Sequence, residues 1–146
     1  MAGDKLAEQA WEELARAQIA LMRRFQDDFR RSEVSMREYD VLFTLARSPE
    51  GLRMRDLGGH LLLTQPGISR LVTRMAAEGL VSRDCDSGDR RGTVVGLTER
   101  GRGVLRRAGR SHAAAIEDCV GAVLSRDELR SLRDIARKLR DAQDPG

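Results

Sequence analysis

Two strand-like segments, Val81–Cys85 and Thr93–Leu97, stand alone in a chain whose other apolar patterns are helical, and they flank the polar run Asp86-Ser87-Gly88-Asp89-Arg90-Arg91-Gly92. Short β-rich segments around a Gly-punctuated loop predict a hairpin, here with two adjacent arginines at its tip. One hairpin among helices limits the chain to a mainly α fold with a small β element.

The helices are read from spacing and caps. Ala7, Trp11, Leu14, Leu21 and Phe25 keep helical period, widened by Ala10, Ala17, Met22 and Phe29, which predicts a first helix over about Lys5–Arg31. Ser35-Met36-Arg37-Glu38 has capping-box spacing, so a second helix starts at Met36, buries Tyr39, Leu42, Phe43 and Ala46, and stops at Ser48-Pro49-Glu50-Gly51. A short third helix over about Arg53–Leu62 buries Leu57 and Leu61. It carries Gly58 and Gly59, each costing about 1 kcal/mol against Ala. Thr64 as N-cap, Pro66 in the first turn and Gly79 as C-terminal stop predict a fourth helix, Gln65–Glu78. A fifth runs from Thr98 to about Val123 through Leu105, Ala108, His112, Ile116 and Cys119. A second capping box, Ser125-Arg126-Asp127-Glu128, opens a sixth that buries Leu129, Leu132, Ile135, Ala136 and Leu139.

At 146 residues the chain suits one modest domain with helical extensions, large enough to hold a core without disulfides or a structural metal. No apolar run approaches the roughly 18 residues of a membrane span. Met1–Gln9 reads as a helix start, and two cysteines fit a reducing, cytoplasmic setting. Net charge is only +3, but it is unevenly placed. Residues 1–52 hold eight basic and ten acidic groups, residues 53–110 twelve and six, and residues 111–146 six and seven. Of the 26 basic residues, 24 are Arg, whose planar fork suits phosphates and guanine edges. Any one of them also reads as plain solvated surface.

In the fourth helix Ile68, Leu71, Val72 and Met75 make one apolar face. The opposite face presents Gln65, Ser69 and Thr73 in a row beside Arg70 and Arg74, with no carboxylate before Glu78. Such a helix fits the DNA major groove, and its N-terminal amides add a phosphate site around Thr64, Gln65 and Pro66. A polar face alone is ordinary; the order of elements decides. A helix-turn-helix followed at once by a basic hairpin makes a winged helix, whose Arg90 and Arg91 reach an adjacent minor groove or phosphate run. Asp89 beside them makes sense there as a partner orienting one arginine.

The run Asp89-Arg90-Arg91-Gly92-Thr93-Val94-Val95-Gly96-Leu97-Thr98 resembles the D-x-R-x-x-x-V-x-L-T wing signature of the MarR (multiple antibiotic resistance regulator) family of bacterial transcription factors. Leu63–Val72 is similar to that family's recognition helix, and Leu80-Val81-Ser82-Arg83 to its approach to the wing. Gly58-Gly59 departs from the Ala-rich third helix usual there. The resemblance implies a winged helix-turn-helix with N- and C-terminal dimerisation helices. The first, fifth and sixth helices would interlock in a homodimer, the fourth would lie in the major groove, and Arg91, paired with Asp89, in the minor groove. Residues 1–34 then form the N-terminal dimerisation helix, 35–98 the DNA-binding domain and 99–146 the C-terminal dimerisation helices. A dimer also follows physically, because Trp11, Phe25, Ile116, Val120 and Ile135 need cover beyond one small core. It predicts a palindromic operator on double-stranded DNA with half-sites about 10 bp apart.

Relatives respond to small aromatic or anionic compounds held between dimer helices and winged domain, and Trp11, Arg16, Tyr39, Asp56 and His112 have the types to line such a pocket. Their plainer roles are interface anchor, surface, core, surface and satisfied interfacial polar group, respectively. His60, His112, Cys85 and Cys119 lack metal-ligand spacing, so neither metal nor cofactor is expected. Redox-sensing relatives keep their cysteine in the first helix, which has none here. No nucleophile elbow, P-loop or zinc-protease motif points to catalysis. The expectation is a cytoplasmic, ligand-responsive repressor. The competing readings are a winged-helix protein-interaction module and a thiol-based redox regulator using Cys85 or Cys119.

Overall fold

The computed structural model describes residues 3–63, 66–85 and 92–144, the Cys85 side chain excepted. Along the chain run α1 (Leu6–Phe29), α2 (Met36–Ala46), β1 (Leu52–Arg53), α3 (Met54–His60), α4 (Ile68–Ala77), β2 (Val81–Cys85), β3 (Thr93–Leu97), α5 (Glu99–Ile116), a π-helical turn (Glu117–Gly121) and α6 (Arg126–Gln143). The strands form one antiparallel sheet in the order β1-β3-β2. In the hairpin Val81 pairs with Leu97 and Cys85 with Thr93. Together with the helices this is the expected mainly α winged helix-turn-helix.

Local chemistry starts the second and sixth helices where it was expected to. Both capping boxes are closed: Ser35 Oγ accepts the Glu38 amide at 3.2 Å while Glu38 accepts the Ser35 amide at 3.0 Å. Ser125 and Glu128 exchange the same pair at 3.1 and 2.9 Å. Each such cap contributes about 1 kcal/mol.

The core lies where α2, α3 and α4 meet the sheet. Val41, Leu42, Leu57, Val72, Met75 and Val95 are fully buried, each stabilising by about 1.5–3 kcal/mol relative to exposure. Phe29 of α1 and Val104 and Ala108 of α5 join the same cluster, so the long helices are seated on the winged core. An aromatic knot ties them further. His112 of α5 lies 5.0 Å from Phe25, edge-on at 87°, and 5.3 Å from both Phe29 and Tyr39. Arg107 of α5 also grips Glu33 with two bonds, 2.6 and 3.0 Å, and this guanidinium holds the carboxyl below its usual pKa.

Several expectations change. The fourth helix begins at Ile68 rather than Gln65, because Gly67 sits at φ 78°, which a right-handed helix cannot contain. Pro66 is therefore in the turn before α4, not in its first turn. Ala46 is exposed, and Val41 and Leu45 take the buried positions of α2. The two-residue strand β1, pairing Leu52 with Val95, is too short to show any alternation in sequence. Phe25 is buried within the chain at 8% exposure, and so needs no partner to cover it. The π-helical turn shifts the phase of α5 after Ile116, leaving Val123 71% exposed.

Trp11 is 66% exposed, and Leu132, Ile135 and Leu139 of α6 are 43%, 58% and 50% exposed. No residue of α6 is buried. No described helix is long and apolar enough to cross a membrane.

Candidate nucleic-acid interface

α4 turns its apolar positions inward and its polar ones out. Leu71, Val72 and Met75 are buried and Ile68 is half-buried, while Ser69, Arg70, Thr73 and Arg74 are exposed. The helix carries no carboxylate, so its outer face is cationic and rich in hydrogen-bonding groups. Thr73 Oγ1 donates to the Ser69 carbonyl at 2.8 Å and accepts from the Arg83 guanidinium of β2 at 3.0 Å. Arg83 therefore belongs to this face. In sequence it reads only as part of the approach to the wing, because nothing local pairs it with a residue ten positions earlier.

The approach to α4 is held by α2. Asp40, only 3% exposed, accepts the Leu62 and Leu63 amides on its two carboxylate oxygens, at 3.1 and 2.9 Å. Arg37 donates to the Pro66 carbonyl at 2.8 Å. At the far end of α4, Gly79 takes φ 77° and reverses the chain. The Thr98 hydroxyl lies 2.7 and 2.9 Å from the Gly79 and Leu80 carbonyls and accepts the Gly101 amide at 3.0 Å. One side chain thus joins the end of α4, the root of β3 and the start of α5.

Behind the interface lies a cleft of ≈ 260 Å³ between α1, α2 and α5 on one side and the α3–α4 link on the other. Phe25, Tyr39, Phe43 and His112 line the first side, and Leu62 and Leu63 the second. Burial pushes the Tyr39 phenol up and the His112 imidazole down, with Asp28 opposing the latter to a lesser degree. His112 Nδ1 is buried without a hydrogen-bond partner among the described residues.

Residues 32–92 match the sequence profile of the MarR family. Sco3205 of Streptomyces coelicolor, a MarR family transcriptional regulator solved in complex with DNA, superimposes with a TM-score of 0.83 at 28% identity, covering 95% of this chain and 88% of that one. Over residues 32–92 the chain is similar to the MarR family, and its fold is that of MarR-family transcriptional regulators. PcaV, a transcriptional regulator from the same organism solved with its natural ligand, gives a TM-score of 0.74 at 28% identity over 99% of this chain and 100% of that one. FarR of Neisseria gonorrhoeae, an HTH-type transcriptional regulator, is 25% identical over 131 residues, 90% of this chain and 88% of its own length.

The stretch that resembles the MarR wing signature divides by role. Val95 is fully buried, Leu97 packs on the core and Thr98 makes the junction just described. These three hold the frame; Asp89 and Arg91 are other members of the signature. With Arg90, Thr64 and Gln65 they lie outside the described residues.

Of the five side chains expected around an effector, the fold brings Tyr39 and His112 into the cleft. Trp11 lies exposed on α1, Arg16 pairs with Glu12 at 2.8 Å, and Asp56 faces Arg55 at 4.0 Å, all outside the lining. Phe25, Asp40, Leu62 and Leu63 stand there instead. Cys119 is half-buried on the π-helical turn, and among the described residues no three His, Cys, Asp or Glu side chains converge as metal ligands.

Proposed function

We propose that this protein is a homodimeric, ligand-responsive repressor that binds a palindromic operator in the cytoplasm and carries out no catalysis. The observation that carries the reading is α4: its apolar face is consumed by the core, and Ser69, Arg70, Thr73 and Arg74 are left outward with no carboxylate among them. Set in the major groove, Arg70 and Arg74 address guanine or phosphate and Ser69 and Thr73 address base edges, with Thr64, Gln65 and Pro66 at the adjoining backbone. Arg90 and Arg91, oriented by Asp89, take the neighbouring minor groove.

Functionally the chain divides into an N-terminal dimerisation helix (residues 1–34), a DNA-binding unit (35–98) and C-terminal dimerisation helices (99–146). The exposed Trp11, Leu132, Ile135 and Leu139 would be covered by the second copy. The effector occupies the cleft between Tyr39 and His112, a reading supported by the ligand-bound state of PcaV. The repressor assignment draws on the homoprotocatechuate degradative operon repressor of Escherichia coli, 28% identical over 95 residues.

A salt series tests the central claim. Genomic fragments retained by the protein should lose affinity with a slope of about −0.9 in log–log form per neutralised phosphate. A flat response would replace DNA binding with the protein-interaction reading.

A further inference from the structure

Two side chains one turn apart on α2 hold the segment that leads into the polar helix. Asp40 clips its beginning through the Leu62 and Leu63 amides, and Arg37 touches its end at the Pro66 carbonyl. Positions i and i+3 share a helix face, so α2 works as a single support for the link. A buried carboxylate is costly unless its lone pairs are used, and here the two link amides are what use them. The contact is therefore close to all-or-none: a link shifted off Asp40 strands a charge.

The same clip forms one side of the cleft. Asp40, Leu62 and Leu63 face it from below α2, opposite Phe25, Tyr39 and His112. Among the described residues no Arg or Lys lines it, so an anion would meet the Asp40 carboxylate with no described cation to balance it. The aromatic walls favour an aromatic guest. An apolar cavity of roughly 150 Å³ holds benzene, so ≈ 260 Å³ has room for two fused rings. The His112 ring stands among these walls beside Phe25 and Tyr39.

We propose that an uncharged aromatic molecule seated between His112 and Leu62-Leu63 acts by drawing the link off Asp40, which makes Asp40 the positioning residue between the cleft and α4. This rests on the effector reading above and adds to it the charge of the ligand and the contact that transmits its presence. Occupancy shifts the link only to the extent that the ligand prefers the displaced position.

Amide hydrogen exchange of the full chain tests it, with 1-naphthol as probe and 1-naphthoate as its charged counterpart. Saturation with 1-naphthol should speed exchange at Leu62 and Leu63 by about tenfold, the equivalent of one charge-assisted hydrogen bond, and leave Leu42 and Leu45 unchanged. In Asp40→Asn the probe should still bind by calorimetry, yet no longer alter exchange at Ile68–Leu71. Naphthol bound with Leu62 and Leu63 unchanged or slowed would overturn the clip. No binding of naphthol, or equal binding of naphthoate, would overturn the ligand class. Should Asp40→Asn fail to fold, the wild-type comparison decides alone. No DNA enters the assay, so its outcome and that of the salt series are independent.

Discussion

Arg83 on β2 donates to the Thr73 hydroxyl on α4 at 3.0 Å, tying the wing to the polar helix by a contact outside the core. Because Thr73 directs its own proton at the Ser69 carbonyl, its hydroxyl has only acceptor capacity left for DNA. It should therefore favour the amino groups of adenine or cytosine. Thr73→Val is expected to relax that preference at one position per half-site by about 1–3 kcal/mol, measured by competition among operator variants. Arg83→Ala should alter folding stability by no more than about 0.5 kcal/mol.

Arg70 and Arg91 should differ in the kind of loss they cause. Arg70→Ala is expected to change which bases are tolerated, by about 1–3 kcal/mol per lost bidentate contact. Arg91→Ala should weaken binding to the operator while the sedimentation coefficient of the dimer stays constant. An unaltered affinity for the second variant would remove the wing from the interface.

His112 gives a pH dependence of defined sign. Its imidazole is held below the ordinary value of 6.5, chiefly by burial. The unfolded chain therefore binds its proton more readily than the folded one. The contribution is whole above the unfolded value and is lost as pH falls through the folded one. Between pH 7 and pH 5 the urea midpoint of the wild type should drop further than that of His112→Phe, in which the carboxylates titrate equally but the ring does not.

Ile135 is 58% exposed on a helix with no buried residue. If the second copy covers it, Ile135→Glu removes apolar contact worth about 1.5–3 kcal/mol on each side of a two-fold interface. Analytical ultracentrifugation should show the dimer dissociating at concentrations where the wild type does not. The thermal unfolding of the isolated subunit should change little.

Gly101 opens α5 where the chain comes against its own earlier turn. A Cβ there would meet the Leu80 carbonyl and lie 2.8 Å from Leu97 Cδ1. The neighbour is backbone, already engaged by Thr98, so it has little room to yield. Gly101→Ala should cost about 1–3 kcal/mol in denaturant unfolding, typical of overpacking, despite the better helix propensity of alanine.

Elements governed by near neighbours were readable in advance. Ser35 and Glu38, like Ser125 and Glu128, meet across three residues, and both boxes close with the bonds their spacing implies. The hairpin strands have the bounds that their β-rich residues and flanking glycines indicate. The burial of Leu71, Val72 and Met75, and with it the outward set of Ser69, Arg70, Thr73 and Arg74, followed from helical period alone.

Where two local signals compete, the sequence alone does not decide between them. Thr64 and Pro66 are good residues for starting a helix, yet Gly67 tolerates a left-handed turn at little cost, and the link held by Asp40 and Arg37 takes that turn. The effector site shows the same limit. Tyr39 and His112 are nameable by type, but in sequence Phe25 reads as a residue of the dimer interface, and Asp40 looks like one more acid among many.

Caps, periodicity and turn residues act over three to seven positions, so composition and order suffice to lay out the helices, the hairpin and the outward polar strip. The clip from Asp40 to residues more than twenty positions away, the Arg83–Thr73 bond and the cleft shared by three helices exist only once distant segments have packed. Hydrogen bonds and apolar contacts are short-ranged in space and indifferent to separation along the chain, which is why those contacts had to await the folded molecule.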